Sequence, residues 1–201
     1  MKIEKILILS IMLFSCESSS DVVLNNGSGF SDAGAGSESG TGIGGSMARF
    51  TIVGDYLYTV DSYNLNTFDI SDQINPIIKS EVNLGWGVET IFPYDNKLFI
   101  GAQNGMHIYD LLIKEEPKWI STYQHITSCD PVVVQGDYAF VTLRGGTECQ
   151  GFNNQLDIID ISKIDEPTLF KTYPMINPYG LGVDGDCLFI TEGEFGLKMY
   201  D

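Results

Sequence analysis

A motif that returns every 41 residues limits what this chain can become. Asp69 and Asp110 stand 41 apart, as do Asp160 and Asp201, and Pro76 and Pro117 keep the same interval. Asp55, Asn96 and Asp137 step by 41 and 41, and Asp186 follows after 49. The longer step reflects an insertion of about nine residues between Arg144 and Gln155, because Asp137 to Asp160 is 23 residues where Asp55 to Asp69 is 14. Units of fixed period bury their apolar surface against one another, so the repeat sets the architecture.

Each unit reads as four short strands. In the third, PVVV (Pro131 to Val134) is followed by a Gly-Asp turn, YAFVTL (Tyr138 to Leu143), LDIIDI (Leu156 to Ile161) and Thr168 to Tyr173. Runs rich in Val, Ile, Tyr and Phe between Gly, Asp and Pro are strand and turn signals. Pro76, Pro117 and Pro167 precede the last strand of their units, where a missing N–H costs little. No unit contains a 3.6-residue apolar stripe, which excludes helical solenoids of similar period. The expected fold class is all-β: a β-propeller of four-stranded antiparallel blades over residues 47–201, with three blades and most of a fourth.

The segments DYLYTVDSYNLNTFDISDQINP (Asp55 to Pro76) and QLDIIDISKIDEP (Gln155 to Pro167) resemble LVIVD repeats. The resemblance runs from about Arg49 to Asp201. It implies a bacterial β-propeller, many relatives being extracytoplasmic lipoproteins, and it supplies no catalytic residues to transfer. Because Asp201 falls in the column of Asp69, Asp110 and Asp160, the fourth unit ends before its outer strand. The expectation is a portion of a longer propeller; the less favoured alternative returns Val22 to Leu24 as the missing strand.

Upstream of the repeats the chain is organised for export. Lys2 and Lys5 precede the apolar run ILILSIMLF (Ile6 to Phe14), which is too short to span a bilayer and reads as a signal-peptide core over residues 1–15. Leu13-Phe14-Ser15-Cys16 resembles the lipobox of bacterial lipoproteins, with Phe14 where a smaller or aliphatic residue is usual. That resemblance implies lipid on Cys16. Residues 16–46 are rich in Ser, Gly and acids and read as a flexible tether. A coil of that composition spans about 30 Å root-mean-square. The expected location is the cell envelope, lipid-anchored at the outer membrane and facing either the periplasm or the surface.

The formal net charge of −16 and the absence of a Lys/Arg cluster exclude nucleic acid as a partner. After Cys16, three cysteines remain. Cys129 lies in the loop entering the third unit and Cys149 in the insertion. Loops entering an innermost strand and loops joining the second and third strands emerge on one propeller face, so these two are expected to form a disulfide. Cys187 aligns with Tyr56, Lys97 and Tyr138 and reads as a buried free thiol. No His or further Cys completes a tetrahedral metal set, and no cofactor is expected.

The same face gathers the candidate binding residues. Ala48, Glu89, Asp130 and Tyr179 form one column at the mouth of the central channel, with Arg49, Trp86 and Tyr94 beside them and Arg144 and Glu148 from the insertion. A protein or carbohydrate ligand at that mouth is the favoured reading. The competing readings are carboxylates that hold water or pair with Arg49, and Trp86 and Trp119 used for blade packing. His107 and His125 are isolated and read as surface or satisfied histidines. An enzyme would use Glu89 and Asp130 as paired acid and base on a glycoside. No G-x-S-x-G, H-E-x-x-H or phosphate-cradling loop supports catalysis, so a non-enzymatic binding or scaffolding module is preferred.

Overall fold

The computed structural model describes residues 48–124, 131–145 and 154–201. Cys16, Cys129, Cys149, His125, Asp130 and Glu148, with Val22 to Leu24 and most of the insertion, lie outside these residues.

Four antiparallel sheets follow one another along the chain. The first is β1 (Phe50–Val53), β2 (Tyr56–Val60), β3 (Asn64–Asp69) and β4 (Ile77–Asn83), hydrogen-bonded in that order. The second is β5 (Val88–Tyr94), β6 (Lys97–Ala102), β7 (Gly105–Asp110) and β8 (Lys118–Gln124). The third is β9 (Val132–Gln135), β10 (Tyr138–Leu143), β11 (Gln155–Asp160) and β12 (Thr168–Pro174). The fourth has three strands, β13 (Leu181–Asp184), β14 (Cys187–Thr191) and β15 (Leu197–Tyr200), with a short 3-10 turn at Gly193–Phe195. The first strand of each sheet lies beside the first strand of the next, in the order β1, β5, β9, β13. This is the blade arrangement the repeat predicts.

The recurring residues do structural work at the corners. β1 and β2 are joined by Gly54-Asp55, β9 and β10 by Gly136-Asp137, and β13 and β14 by Gly185-Asp186; each Gly has positive φ, as a two-residue type II′ hairpin demands. In the second sheet Asp95 and Asn96 take φ of 44° and 55°, so the same corner is built as a type I′ turn. After each third strand an Asp caps the next turn. Asp69 Oδ1 accepts from the Ser71 amide and hydroxyl at 3.0 and 2.7 Å, Asp160 Oδ1 from those of Ser162 at 2.9 and 2.6 Å, and Asp110 Oδ1 from the Leu112 amide at 2.5 Å. These are Asx turns, which explains the aspartate column without invoking chemistry.

The caps carry a pH dependence. The Ser71 hydroxyl and amide, followed by Lys79 at 3.1 Å, hold the Asp69 carboxyl down at about 2. Because the folded value lies below the unfolded one of about 3.9, this stabilisation is present above about pH 4 and is lost as pH falls toward 2. Acid unfolding followed by circular dichroism should therefore be less steep between pH 4 and 2 in Asp69→Asn than in the wild type. Equal slopes would remove Asp69 from the account.

A β-bulge recurs at one place in each complete sheet. Register shifts fall at Thr67/Phe68, Ile108/Tyr109 and Ile158/Ile159, leaving Lys79, Ile120 and Phe170 as the extra residues of the outer strands. Bulges on edge strands increase twist and discourage pairing with another chain.

The core lies between blades. Tyr58, Leu65, Ile91, Leu98 and Ile100 are fully buried between the first two sheets, and Phe99, Ile108, Val132, Val141, Ile159 and Ile190 in the cluster spanning the second to the fourth. Each such side chain contributes about 1.5–3 kcal/mol on burial. Outer-strand hydroxyls add inter-blade ties: Ser80 Oγ donates to the Glu115 carbonyl at 2.7 Å and Ser121 Oγ to the Ile164 carbonyl at 2.6 Å. One sheet face differs. Ile91 and Val132 are covered by the preceding blade, whereas Phe50, their repeat equivalent, is 60% exposed.

Candidate functional site

The chain enters every innermost strand at the same end of the molecule, opposite the hairpins. Arg49 precedes β1, Glu89 and Thr90 begin β5, Pro131 precedes β9, Arg144 follows β10, and Pro178 and Tyr179 lead into β13. These residues line one cleft of about 100 Å³, to which all four sheets contribute. Arg49, Glu89, Arg144 and Tyr179 are thus brought together as the repeat register predicts.

The Arg144 guanidinium lies 4.1 Å from the centroid of the Tyr179 ring, a cation–π pair that orients the cation. The Tyr179 backbone is fixed on both sides, its N–H donating to the Thr191 carbonyl at 2.8 Å and its carbonyl accepting from Thr142 Oγ1 at 3.2 Å. Gln103 Nε2 donates to Glu89 Oε1 at 3.4 Å, which engages the one described carboxylate of the cleft. Arg49 is exposed and has no side-chain partner among the described residues. Among the described residues, two guanidinium groups and one carboxylate share this spot, on a chain of net charge −16. Such a spot suits a carboxylate, because arginine presents a fork of donors matched to two oxygens.

Three expectations need correction. Trp86 sits in the β4–β5 linker and does not line the cleft; it is 61% exposed, and Trp119 is 62% exposed, so neither packs between blades. Tyr94 ends β5 at the hairpin end, because seven residues of strand carry it away from the cleft, and its hydroxyl accepts from the Gly136 amide at 2.8 Å. Cys187 is buried but not free, being disulfide-bonded. The expected lipid on Cys16 and the expected Cys129–Cys149 bond fall on residues outside the described ones.

One residue that matters was not singled out from sequence. Glu192 lies in the repeat column of Asp61, Ala102 and Leu143, and its side chain is completely buried against the linker that leads to Tyr179. Its Oε1 accepts from the Ile176 amide at 2.9 Å and its Oε2 pairs with Lys198 Nζ. Burial pushes the carboxyl up, but the Lys198 ammonium and the Ile176 amide outweigh it and hold it below the ordinary value. A carboxylate in a column that otherwise buries Ala102 and Leu143 was the available signal. Glu192 positions the linker that delivers Pro178 and Tyr179. His107, by contrast, bonds Thr122 Oγ1 at 2.9 Å and takes no part in the cleft.

The hairpin end holds a second and larger cavity, of about 510 Å³, walled by Val53, Phe92, Leu111, Val134 and Val183. Among the described residues no group of three His, Cys, Asp or Glu side chains is placed to hold a metal ion.

The LVIVD repeat model matches residues 44–84 and 128–174. The chain carries LVIVD repeats. The matched stretches coincide with the first and third sheets, and the second sheet between them has the same strand order, bulge position and Asx turn. Successive antiparallel sheets of one construction, two of them matched by the repeat model, are consistent with an incomplete β-propeller. No curated protein matches it.

Proposed function

We propose that this LVIVD-repeat chain is a non-enzymatic binding or scaffolding module, held outside the cytoplasm by lipid on Cys16 and the tether of residues 16–46. The observation that carries the binding role is the convergence of Arg49, Glu89, Arg144 and Tyr179, one from each sheet, on a single cleft. At about 100 Å³ the cleft is smaller than the roughly 300–1,000 Å³ of small-molecule sites. It suits one protruding group of a larger partner: an acidic side chain of a protein, or a uronate of a carbohydrate.

Two measurements test the halves separately. The wild-type protein immobilised on beads should retain an envelope component that elutes as salt rises, and Arg49→Ala with Arg144→Ala should reduce retention at least tenfold. Retention unchanged by the double substitution would sink the cleft as the binding surface. For the anchor, Cys16→Ala should release the protein from the membrane fraction, and a non-reducing peptide map should link Cys187 to Cys129 or Cys149. A Cys16–Cys187 link would rule out lipid on that sulfur.

A further inference from the structure

The cavity at the hairpin end lies on the opposite side of the blades from the arginine cleft. Its volume of about 510 Å³ falls inside the roughly 300–1,000 Å³ range of small-molecule sites. Its walls are apolar side chains from all four sheets: Val53 from β1, Phe92 from β5, Leu111 after β7, Val134 from β9 and Val183 from β13. All but the half-buried Val183 are themselves buried, so a ligand body here meets a preformed apolar surface.

The polar groups lie toward the exposed hairpins, and their existing bonds decide the ligand's charge. Lys97 Nζ is held by Asp95, donating to its carbonyl at 3.0 Å and lying 3.5 Å from its carboxylate. Gln135 Nε2 donates to the Gly185 carbonyl, which leaves the Gln135 amide oxygen as an acceptor. Asp184 is exposed, lines the cavity, and has no partner among the described residues. A ligand therefore meets two carboxylates and a spare amide oxygen against one ammonium already engaged. The net charge of −16 raises the local concentration of cations further.

We propose that this cavity binds a small amphiphile with an apolar, aromatic body and a protonated amine, the body lying among Phe92, Leu111 and Val134 and the ammonium facing Asp184 and Gln135. The site is independent of the arginine cleft, whose charge selects the opposite kind of group.

Phenethylamine, 2-phenylethanol and phenylacetate share one body and differ in the charge of the end group. Titration of the full chain by saturation-transfer NMR should rank them in that order, with phenethylamine at least fivefold tighter than the alcohol. Asp184→Asn, a change on an exposed hairpin residue, should weaken phenethylamine at least threefold and leave the alcohol unchanged. Val183→Phe, which narrows the cavity, should weaken all three while the thermal melt stays cooperative. Equal affinity for the three compounds, no saturation transfer to phenethylamine, or indifference to Asp184→Asn would overturn the proposal. Weakening by Arg144→Ala would do so as well, since it would place the ligand on the other face.

Discussion

Replacing Gly105 with alanine is expected to lower the unfolding free energy by about 2–4 kcal/mol. Gly105 opens β7 opposite Ala102 and Gln124, at a φ of 157° that L side chains rarely adopt. A Cβ built there would stand 2.4 Å from the Tyr123 carbonyl oxygen, and backbone of an adjacent strand cannot rotate out of the way as a side chain would. Either β7 or β8 must move, and Tyr123 packs on the cluster between the second and third blades. Gly136→Ala is the natural comparison: it also has positive φ, at 57°, but nothing lies within 4 Å of its added Cβ. That variant should lose only about 1 kcal/mol, the left-handed backbone penalty alone. Urea midpoints converted with a common m-value would measure both. A loss below 0.5 kcal/mol at Gly105 would mean that the close approach of β7 and β8 is not real.

Lys198→Ala is expected to lower the thermal midpoint at neutral pH by several degrees, more than the loss of an exposed surface ion pair would. Lys198 is itself 37% exposed, but its partner Glu192 is completely buried, so removing the ammonium leaves a desolvated carboxylate with the Ile176 and Asn177 amides as donors. The sign of the pH response distinguishes this cause from lost packing. In the wild type the Glu192 carboxyl is held low, so its contribution is present above its unfolded pKa and fades as pH falls. In the variant burial prevails and the pKa rises, so acidification relieves the strain and the gap to wild type should shrink from pH 7 to pH 5. Glu192→Gln combined with Lys198→Met should recover part of the loss, because neither group is then left charged and unpaired. A gap independent of pH would sink the electrostatic explanation. As Glu192 holds the segment leading to Tyr179, the single variant should also loosen the arginine cleft.

Much of the blade plan was written in the spacing. The 41-residue steps located the Gly-Asp hairpins, the Asx-turn aspartates and the prolines before outer strands, because turns depend on a few adjacent backbone angles that Gly, Asp and Pro set locally. The same register placed Arg49, Glu89, Arg144 and Tyr179 at one end, since the hairpin corners recur in step and the segments that enter and leave the strands opposite them fall together at the other end. It placed Tyr94 wrongly because nearness in sequence to Glu89 was taken for nearness in space, and a β-strand converts seven residues into about 20 Å of separation. It also set Trp86 beside the cleft, with blade packing as the competing reading for Trp86 and Trp119, although one sits in a linker and the other on an outer strand.

The sequence by itself determined the repeat, the strand order within each blade, the turn chemistry and the common face of the cleft residues. Only the tertiary structure decided which groups satisfy one another: that Glu192 is buried against Lys198, that Cys187 is bonded, that Gln103 engages Glu89, and that an apolar cavity opens at the hairpin end. The division has one physical cause. Turn and strand preferences are properties of a few consecutive residues, whereas burial, pairing and empty volume arise from side chains of different blades meeting, and no local pattern records which of them meet.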